Sequence, residues 1–283
     1  MDNIEYVERL KELKNKINRA DAILIGAGSG LSTAAGLKYS GERFTNNFSD
    51  FIKKYKLTDM YSAGFYPFKS LEEYWAYWSR HILLNRYDAE VGKPYRDLLK
   101  LVENKNYFVI TTNVDHMFQK SGFNKDRLFC TQGDYGLWQC SIPCKMETFN
   151  NEERVRLMVK EQKNMKIPKE LIPYCPYCNA PLTMNLRVDD KFVEDGKWQE
   201  ASKRYLKFRE DNINSKIVYL EIGVGYNTPG IIKYPFRIMT AKNPNSVYAT
   251  LNMDNYFTPK EIKNRTISIE EDIGKVLEDL NNI

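Results

Sequence analysis

The stretch Ala22-Ile-Leu-Ile-Gly26-Ala27-Gly28-Ser29-Gly30, continued by Leu31-Ser-Thr-Ala-Ala35, decides how the rest of the chain is read. A short apolar run enters a glycine-rich turn, and the residues beyond the turn read as a helix, which makes a strand, glycine turn and helix. A turn that approaches a pyrophosphate cannot tolerate side chains, and the helix start beyond it supplies free N–H groups and a partial positive charge. Gly26, Ala27, Gly28 and Ser29 suit that role. An ordinary tight strand-to-helix turn would use the same residues, and the spacing is not the G-x-G-x-x-G of common dehydrogenases.

Working outward, residues 4–19 place Ile4, Val7, Leu10, Leu13 and Ile17 at spacings of three and four, the pattern of an amphipathic helix. Further short apolar runs stop abruptly at polar or glycine residues: 107–111, 217–222, 247–251 and, more weakly, 128–131. Strands separated by helical stretches predict an α/β fold with a Rossmann-like parallel sheet and helices on both faces. Ligands gather at the carboxyl ends of such strands. The residues to inspect are therefore Asn113 and Asp115, Gln132, Gly223 and Gly225, and Asn252 and Asp254. Two stretches break the alternation: residues 44–90, rich in aromatics such as Trp75 and Trp78, and residues 135–215, which hold cysteine pairs amid charged sequence. The expected organisation is one catalytic domain over 1–283. Its Rossmann-like part spans about 1–43, 91–134 and 216–283. A smaller module of helices and a zinc ribbon (138–182) spans about 44–90 and 135–215.

A length of 283 residues accommodates that arrangement. The net charge of +5 comes from 42 basic and 37 acidic residues without long like-charged blocks, too mild a bias to suggest nucleic acid. There is no run of membrane-spanning length, and the amino terminus lacks the pattern of a secretory signal. The expectation is a cytoplasmic protein with neither nucleic-acid nor membrane partners.

Cys140-x-x-x-Cys144, thirty residues, then Cys175-Pro-Tyr-Cys178 place two cysteine pairs where four thiolates can close around Zn²⁺. Four ligands leave no open position, so the zinc would be structural; chance spacing is the competing explanation. Cys130 stands apart and reads as a buried strand residue. Thr111-Thr112-Asn113-Val114-Asp115 ends a strand with an amide and a carboxylate that can bracket a carboxamide and a ribose. An Asx turn capping a helix would use the same residues.

These pieces, in this order, resemble the sirtuin family over nearly the whole chain. Gly26-Ala27-Gly28 with the following Ser-Thr-Ala-Ala-Gly is similar to the family's NAD turn, and Thr111–Asp115 to its Thr-Gln-Asn-(Ile/Val)-Asp motif. The four cysteines match its zinc ribbon. Gly223-Val224-Gly225 is similar to the Gly-Thr-Ser turn, and Leu251-Asn252 to the strand end that binds the adenosine ribose. The departures say more about function. Gln132-Gly133 stands where deacylases have His-Gly, Thr112 replaces the motif's Gln, and Gly36-Leu-Lys-Tyr-Ser40 replaces Gly-Ile-Pro-Asp-Phe-Arg. This pattern is similar to the macrodomain-linked, or class M, sirtuins, which are protein ADP-ribosyltransferases.

The resemblance implies NAD as cosubstrate and a protein acceptor, such as a lipoyl-carrier protein. It also implies a separate macrodomain hydrolase as functional partner. It implies Asn113 and Gln132 as the functional pair; the chemistry assigns Asn113 to orienting ribose and acceptor, Asp115 to the nicotinamide carboxamide, and Gln132 to the ribose hydroxyls and acceptor, these three being the expected catalytic residues. A primary amide cannot accept a proton at neutral pH but hydrogen-bonds both ways. The NAD-cleaving half of sirtuin chemistry is thus kept and the base-dependent half lost. Transfer to a carboxylate needs positioning more than proton removal. Deacylation by an unconventional base, NAD hydrolysis and a silent NAD sensor are the competing functions. Of the two histidines, His81 reads as structural and His116 as packing beneath the site.

Overall fold

A computed structural model describes residues 2–253 and 257–283. Its strands are β1 (Ala22–Ala27), β2 (Tyr107–Thr111), β3 (Leu128–Cys130), β4 (Gly133–Cys140), β5 (Thr148–Asn150), β6 (Leu182–Leu186), β7 (Ile217–Ile222), β8 (Val247–Asn252) and β9 (Thr266–Glu270). Six of them form one parallel sheet in the order β3-β2-β1-β7-β8-β9, and β5-β4-β6 form a separate sheet that is antiparallel. Every residue of β1, β2 and β7 is buried, as expected of parallel strands covered on both faces. The pleat sorts them between two cores. Ile23 and Ile25 join Leu10, Leu98 and Leu277 on one face, while Ala22 and Leu24 join Tyr205, Ile232 and Phe236 on the other.

Sequence and structure differ at three points of the framework. The helix Asn3–Arg19 buries Tyr6, Leu10, Leu13 and Ile17, while Ile4 and Val7 are exposed. Tyr6 takes the inward place because its hydroxyl donates to Asp279 Oδ2 at 2.6 Å and Lys275 lies over its ring. Strand β9 escapes the periodicity reading because its five residues bury only Ile267 and Ile269. The helix Gly196–Asp211, expected with the small module, lies against the sheet: Trp198 and Tyr205 pack on Phe129, and Phe208 on Phe108.

A third core belongs to residues 44–82 and 135–184 and is built of rings, among them Phe44, Phe48, Phe51, Trp75, Tyr77 and Trp138. Such residues bury large areas and prefer the tilted and edge-on contacts seen here. The chain passes from the parallel sheet into this module between β3 and β4. Gly133 makes the passage at φ +95°, where a Cβ would collide with the carbonyl of Asn185. Gln132 is therefore held at the seam. No helix among the described residues is long and apolar enough to cross a membrane.

Candidate active site

The carboxyl ends of β1, β2, β3 and β7 meet at one edge of the sheet. Two glycine turns cross there with their backbones in contact: Gly28 N–H donates to Ile222 O, and Gly30 N–H to Gly223 O, each at 2.9 Å. A Cβ on Gly28 would stand 2.7 Å from Gly223 O, and one on Gly223, at φ +61°, 2.5 Å from Leu31 N. The glycines at 28, 30 and 223 are thus required by the approach of one turn to the other. Gly26 and Ala27 are not part of the open turn. Both are buried; Gly26 lies under Ile232 and Phe236, and the carbonyl of Ala27 accepts from Thr111 Oγ1 at 2.9 Å and Thr112 N–H at 3.1 Å. Ser29 is exposed at the start of the helix Ser29–Ala34. Gly225 is exposed with open space around it, and Asn252 donates to Val224 O at 3.3 Å. Asp254 lies outside the described residues.

The turn after β2 is knitted to this crossing. Asn113 Nδ2 donates to Gly28 O at 2.9 Å and to the Tyr95 hydroxyl at 3.2 Å. With both amide protons committed, its Oδ1 remains as an acceptor. Asp115 Oδ2 accepts from the Ser32 hydroxyl at 2.5 Å and Oδ1 from Met117 N–H at 3.0 Å. Burial pushes the Asp115 carboxyl above its ordinary value, with the Ser32 hydrogen bond pulling the other way. Tyr95 closes the network through Ser32 at 2.9 Å. Gln132 is half-buried, and among the described residues its side-chain amide makes no hydrogen bond, so it is free to take a ligand's donors and acceptors.

His116 does more than pack. It occupies a left-handed backbone position (φ 67°), and its Nδ1 meets Asp134 Oδ2 at 2.5 Å. Arg86 Nε and Gly136 N–H both donate to Asp134 Oδ1, at 2.8 and 2.6 Å. Burial alone would raise the Asp134 carboxyl, but His116 and Arg86 outweigh it and hold it below its ordinary value. This bridge ties the turn bearing Asp115 to the turn bearing Gln132. Cys130 is half-buried, and burial pushes its thiol up to about 12; it accepts from Gln119 at 3.5 Å.

A cleft of about 340 Å³ opens over these groups. Ser29, Asn113, Gln132, Asn227 and Thr228 line its sheet side; Trp78 and His81 of the helix Leu71–Ile82, with Tyr39 and Tyr135, line the opposite side, and Arg187 follows the small-sheet strand β6. The structure thus brings Ser29, Asn113 and Gln132 to one space, while Asp115 braces it from below and Gly225 and Asn252 stand apart from its lining. Sequence reasoning missed Ser32, Tyr95, Arg187 and the Tyr39–Tyr135 hydroxyl contact of 2.7 Å. Ser32 belongs to the opening motif and could have been found there. Tyr95 carries no local signal, because it reaches the site only through partners 18 and 63 residues away.

The four motif cysteines lie together on the far side of the small module, with their sulfurs all within 4.8 Å of one another. Cys140 and Cys178, and Cys144 and Cys175, are 3.5 Å apart. A tetrahedron with Zn–S of about 2.3 Å has edges of roughly 3.8 Å, so the donor set fits a structural zinc and is too open for disulfides.

No protein-family model matches the chain. It is 44% identical over 274 residues to a protein ADP-ribosyltransferase of Staphylococcus aureus (strain Mu50), covering 96% of this chain and 87% of that one. It is 32% identical over 231 residues to a probable bifunctional ADP-ribose hydrolase/ADP-ribosyltransferase of Fusarium oxysporum f. sp. cubense. That match takes in 77% of this chain but only 38% of the longer fungal protein. Among solved structures, Sir2Tm bound to a propionylated peptide superposes with a TM-score of 0.61 at 16% identity, over 96% of this chain and 97% of that one. A Sir2 homolog–NAD complex gives 0.63 at 15%, over 96% and 92%. The fold is that of the Sir2 proteins.

Proposed function

The chain belongs to the family of the Staphylococcus aureus protein ADP-ribosyltransferase, and from that premise we propose that it is an NAD-dependent protein mono-ADP-ribosyltransferase of sirtuin type, closest to the macrodomain-linked, class M group. It transfers ADP-ribose to a protein acceptor, such as a lipoylated carrier protein, and a separate macrodomain hydrolase reverses the modification. The catalytic domain takes in the whole chain, with the sheet and the ring-rich module as its two parts. The observation that carries this reading is Gln132: an uncommitted amide lines the cleft beside Asn113, where the deacylases of the resembled family have a base.

Bound NAD would supply the ADP-ribosyl group as nicotinamide departs. The residues around it divide the work. Ser29 and the N–H groups of its helix start lie where phosphate oxygens would be received, beside the loop carrying Gly223 and Gly225, with Asn252 on the adenosine side. Asn113, its Nδ2 tied to Gly28 and Tyr95, presents Oδ1 to a ribose hydroxyl and to the incoming acceptor. Asp115, braced by Ser32 and Met117, offers its remaining lone pairs to the nicotinamide carboxamide. Gln132 holds ribose hydroxyls and acceptor without removing a proton. A carboxylate acceptor is already nucleophilic, and fixing it near the reacting carbon is the main task left. The cysteine cluster holds zinc away from the cleft and supports the module that walls it.

The test is incubation with labelled NAD and candidate acceptors, a lipoylated carrier included, followed by mass spectrometry. Nicotinamide release that depends on acceptor, with label retained on protein, is the expected result. Gln132→Ala should lower transfer by about 10²–10³-fold, the usual cost of removing a positioned polar group. Free ADP-ribose formed at one rate with or without acceptor would mean a hydrolase, and O-acyl-ADP-ribose from acyl-lysine peptides a deacylase.

A further inference from the structure

Two buried carboxylates stand on neighbouring turns. Tyr135 N–H donates to Val114 O at 2.9 Å, so Asp115, which follows Val114, and Asp134, which precedes Tyr135, are carried side by side, 5% and 9% exposed. They are held in opposite ways. The donors to Asp115 are neutral, the Ser32 hydroxyl and the Met117 N–H. Asp134 instead takes the Arg86 guanidinium on Oδ1 and the His116 imidazole on Oδ2. Arg86 comes from the helical turn Leu83–Tyr87, which packs on the ring-rich core. A Cβ at Gly136 would stand 2.8 Å from Arg86 Nη2 and 3.0 Å from Asp134 Oδ1, so a glycine leaves the guanidinium its place.

Two like charges this close in a buried place oppose each other's ionisation. Burial does most to raise the Asp115 carboxyl, the Ser32 and Met117 hydrogen bonds lower it, and the charge of Asp134 raises it again. The phenols of Tyr39, Tyr95 and Tyr135 and the thiol of Cys130 also face Asp115, and burial raises all four, so they carry no charge at neutral pH. Asp134 is faced by Tyr87 and Cys130 as well as by His116 and Arg86, and it is ionised. We propose that Arg86, with His116, is a positioning residue for the transfer reaction: by pairing with Asp134 it offsets that residue's charge at Asp115. Asp115 then stays a carboxylate, the form in which both its oxygens accept from Ser32 and Met117 and in which it serves the nicotinamide carboxamide. This rests on the transferase reading, which gives Asp115 that partner. Arg86, His116 and Asp134 do not line the cleft, so they act through Asp115 and touch no ligand.

Two measurements test this. One is the pH profile of nicotinamide release with acceptor present; the other is the titration of the Asp115 carboxyl by ¹³C NMR without NAD or acceptor, its resonance assigned by loss in Asp115→Asn. Arg86→Gln removes the offsetting charge and should move the acid limb of the profile, and the carboxyl titration, to higher pH by about one unit. Asp134→Asn removes the anion yet keeps an acceptor oxygen for Arg86 and the Gly136 N–H, and it should move both to lower pH. A purely structural role would lower the rate by one factor at every pH. That result, movement of both variants in the same direction, or a carboxyl titration unmoved in both would each overturn the assignment. Where Arg86→Gln folds poorly, Asp134→Asn carries the sign by itself. The carboxyl titration needs no substrate, so this inference can fail while acceptor-dependent release by the wild-type chain holds, and that release can be absent while the titration shifts are found.

Discussion

Beneath the sheet side of the cleft, Ser32, Tyr95, Asn113 and Asp115 hold one another in place through hydrogen bonds of 2.5 to 3.2 Å, whereas on the helical wall Trp78 and His81 keep ring nitrogens buried without a protein partner. The first wall is complete before any ligand arrives, which suits groups that must stand at fixed positions around a scissile bond. The second is incomplete. A buried donor or acceptor left unpaired costs about 1–3 kcal/mol. The difference separates a network organised by hydrogen bonds from a wall organised by ring packing.

The largest expected effect comes from removing metal, because the ring-rich module depends on the cysteine cluster and the sheet does not. Structural zinc contributes on the order of 10 kcal/mol to the folding of small metal-bound units. A strong chelator should expose Trp75, Trp78 and Trp138, raising their fluorescence response to quencher, while the helices and strands of the sheet persist by far-ultraviolet dichroism. If chelation leaves tryptophan exposure unchanged, the two parts are not separable in this way.

A smaller effect concerns His81. Its folded-state value of about 3 lies below the roughly 6.5 of an exposed histidine, so between those limits the unfolded chain binds more protons than the native one. Its contribution is present in full above about pH 6.5 and falls by about 1.4 kcal/mol for each unit of acidification, down to the folded value. His81→Phe removes this titration. The stability difference between wild type and variant should shift against the wild type by about 2 kcal/mol from pH 7 to pH 5, measured by denaturant unfolding. A pH-independent difference would mean that His81 is more hydrated than its burial implies.

The smallest effect is expected from Tyr95→Phe on the opposite wall. Losing the hydroxyl shared by Ser32 and Asn113 should cost about 1 kcal/mol, or a drop of roughly 2–4 °C in Tm. It should also slow nicotinamide release, because the amide of Asn113 then loses one of its two anchors. Release at the wild-type rate would show that Gly28 O alone fixes Asn113.

Much of this was legible in the sequence. The strand at 22–27, its glycine turn, the strand ends at Asn113 and Gln132, and the paired cysteines are local patterns, set by side-chain alternation, glycine geometry and ligand chemistry that act within a few residues. They pointed to the parallel sheet, the metal cluster and the place of Gln132 after a strand. The turn glycines differ in their surroundings, since Gly26 packs under Ile232 and Phe236 while the glycines at 28, 30 and 223 lie where two turns cross. That distinction depends on which backbone lies opposite, a contact nearly two hundred residues away in the chain. The same holds for Tyr95 as the anchor of Asn113, for the bridge from His116 to Asp134, and for the tautomer of His81, which is set by where the Tyr77 hydroxyl sends its proton. Sequence determined which chemical groups are available and on which elements they ride; tertiary structure alone decided which of them hydrogen-bond to one another and which are buried without a partner.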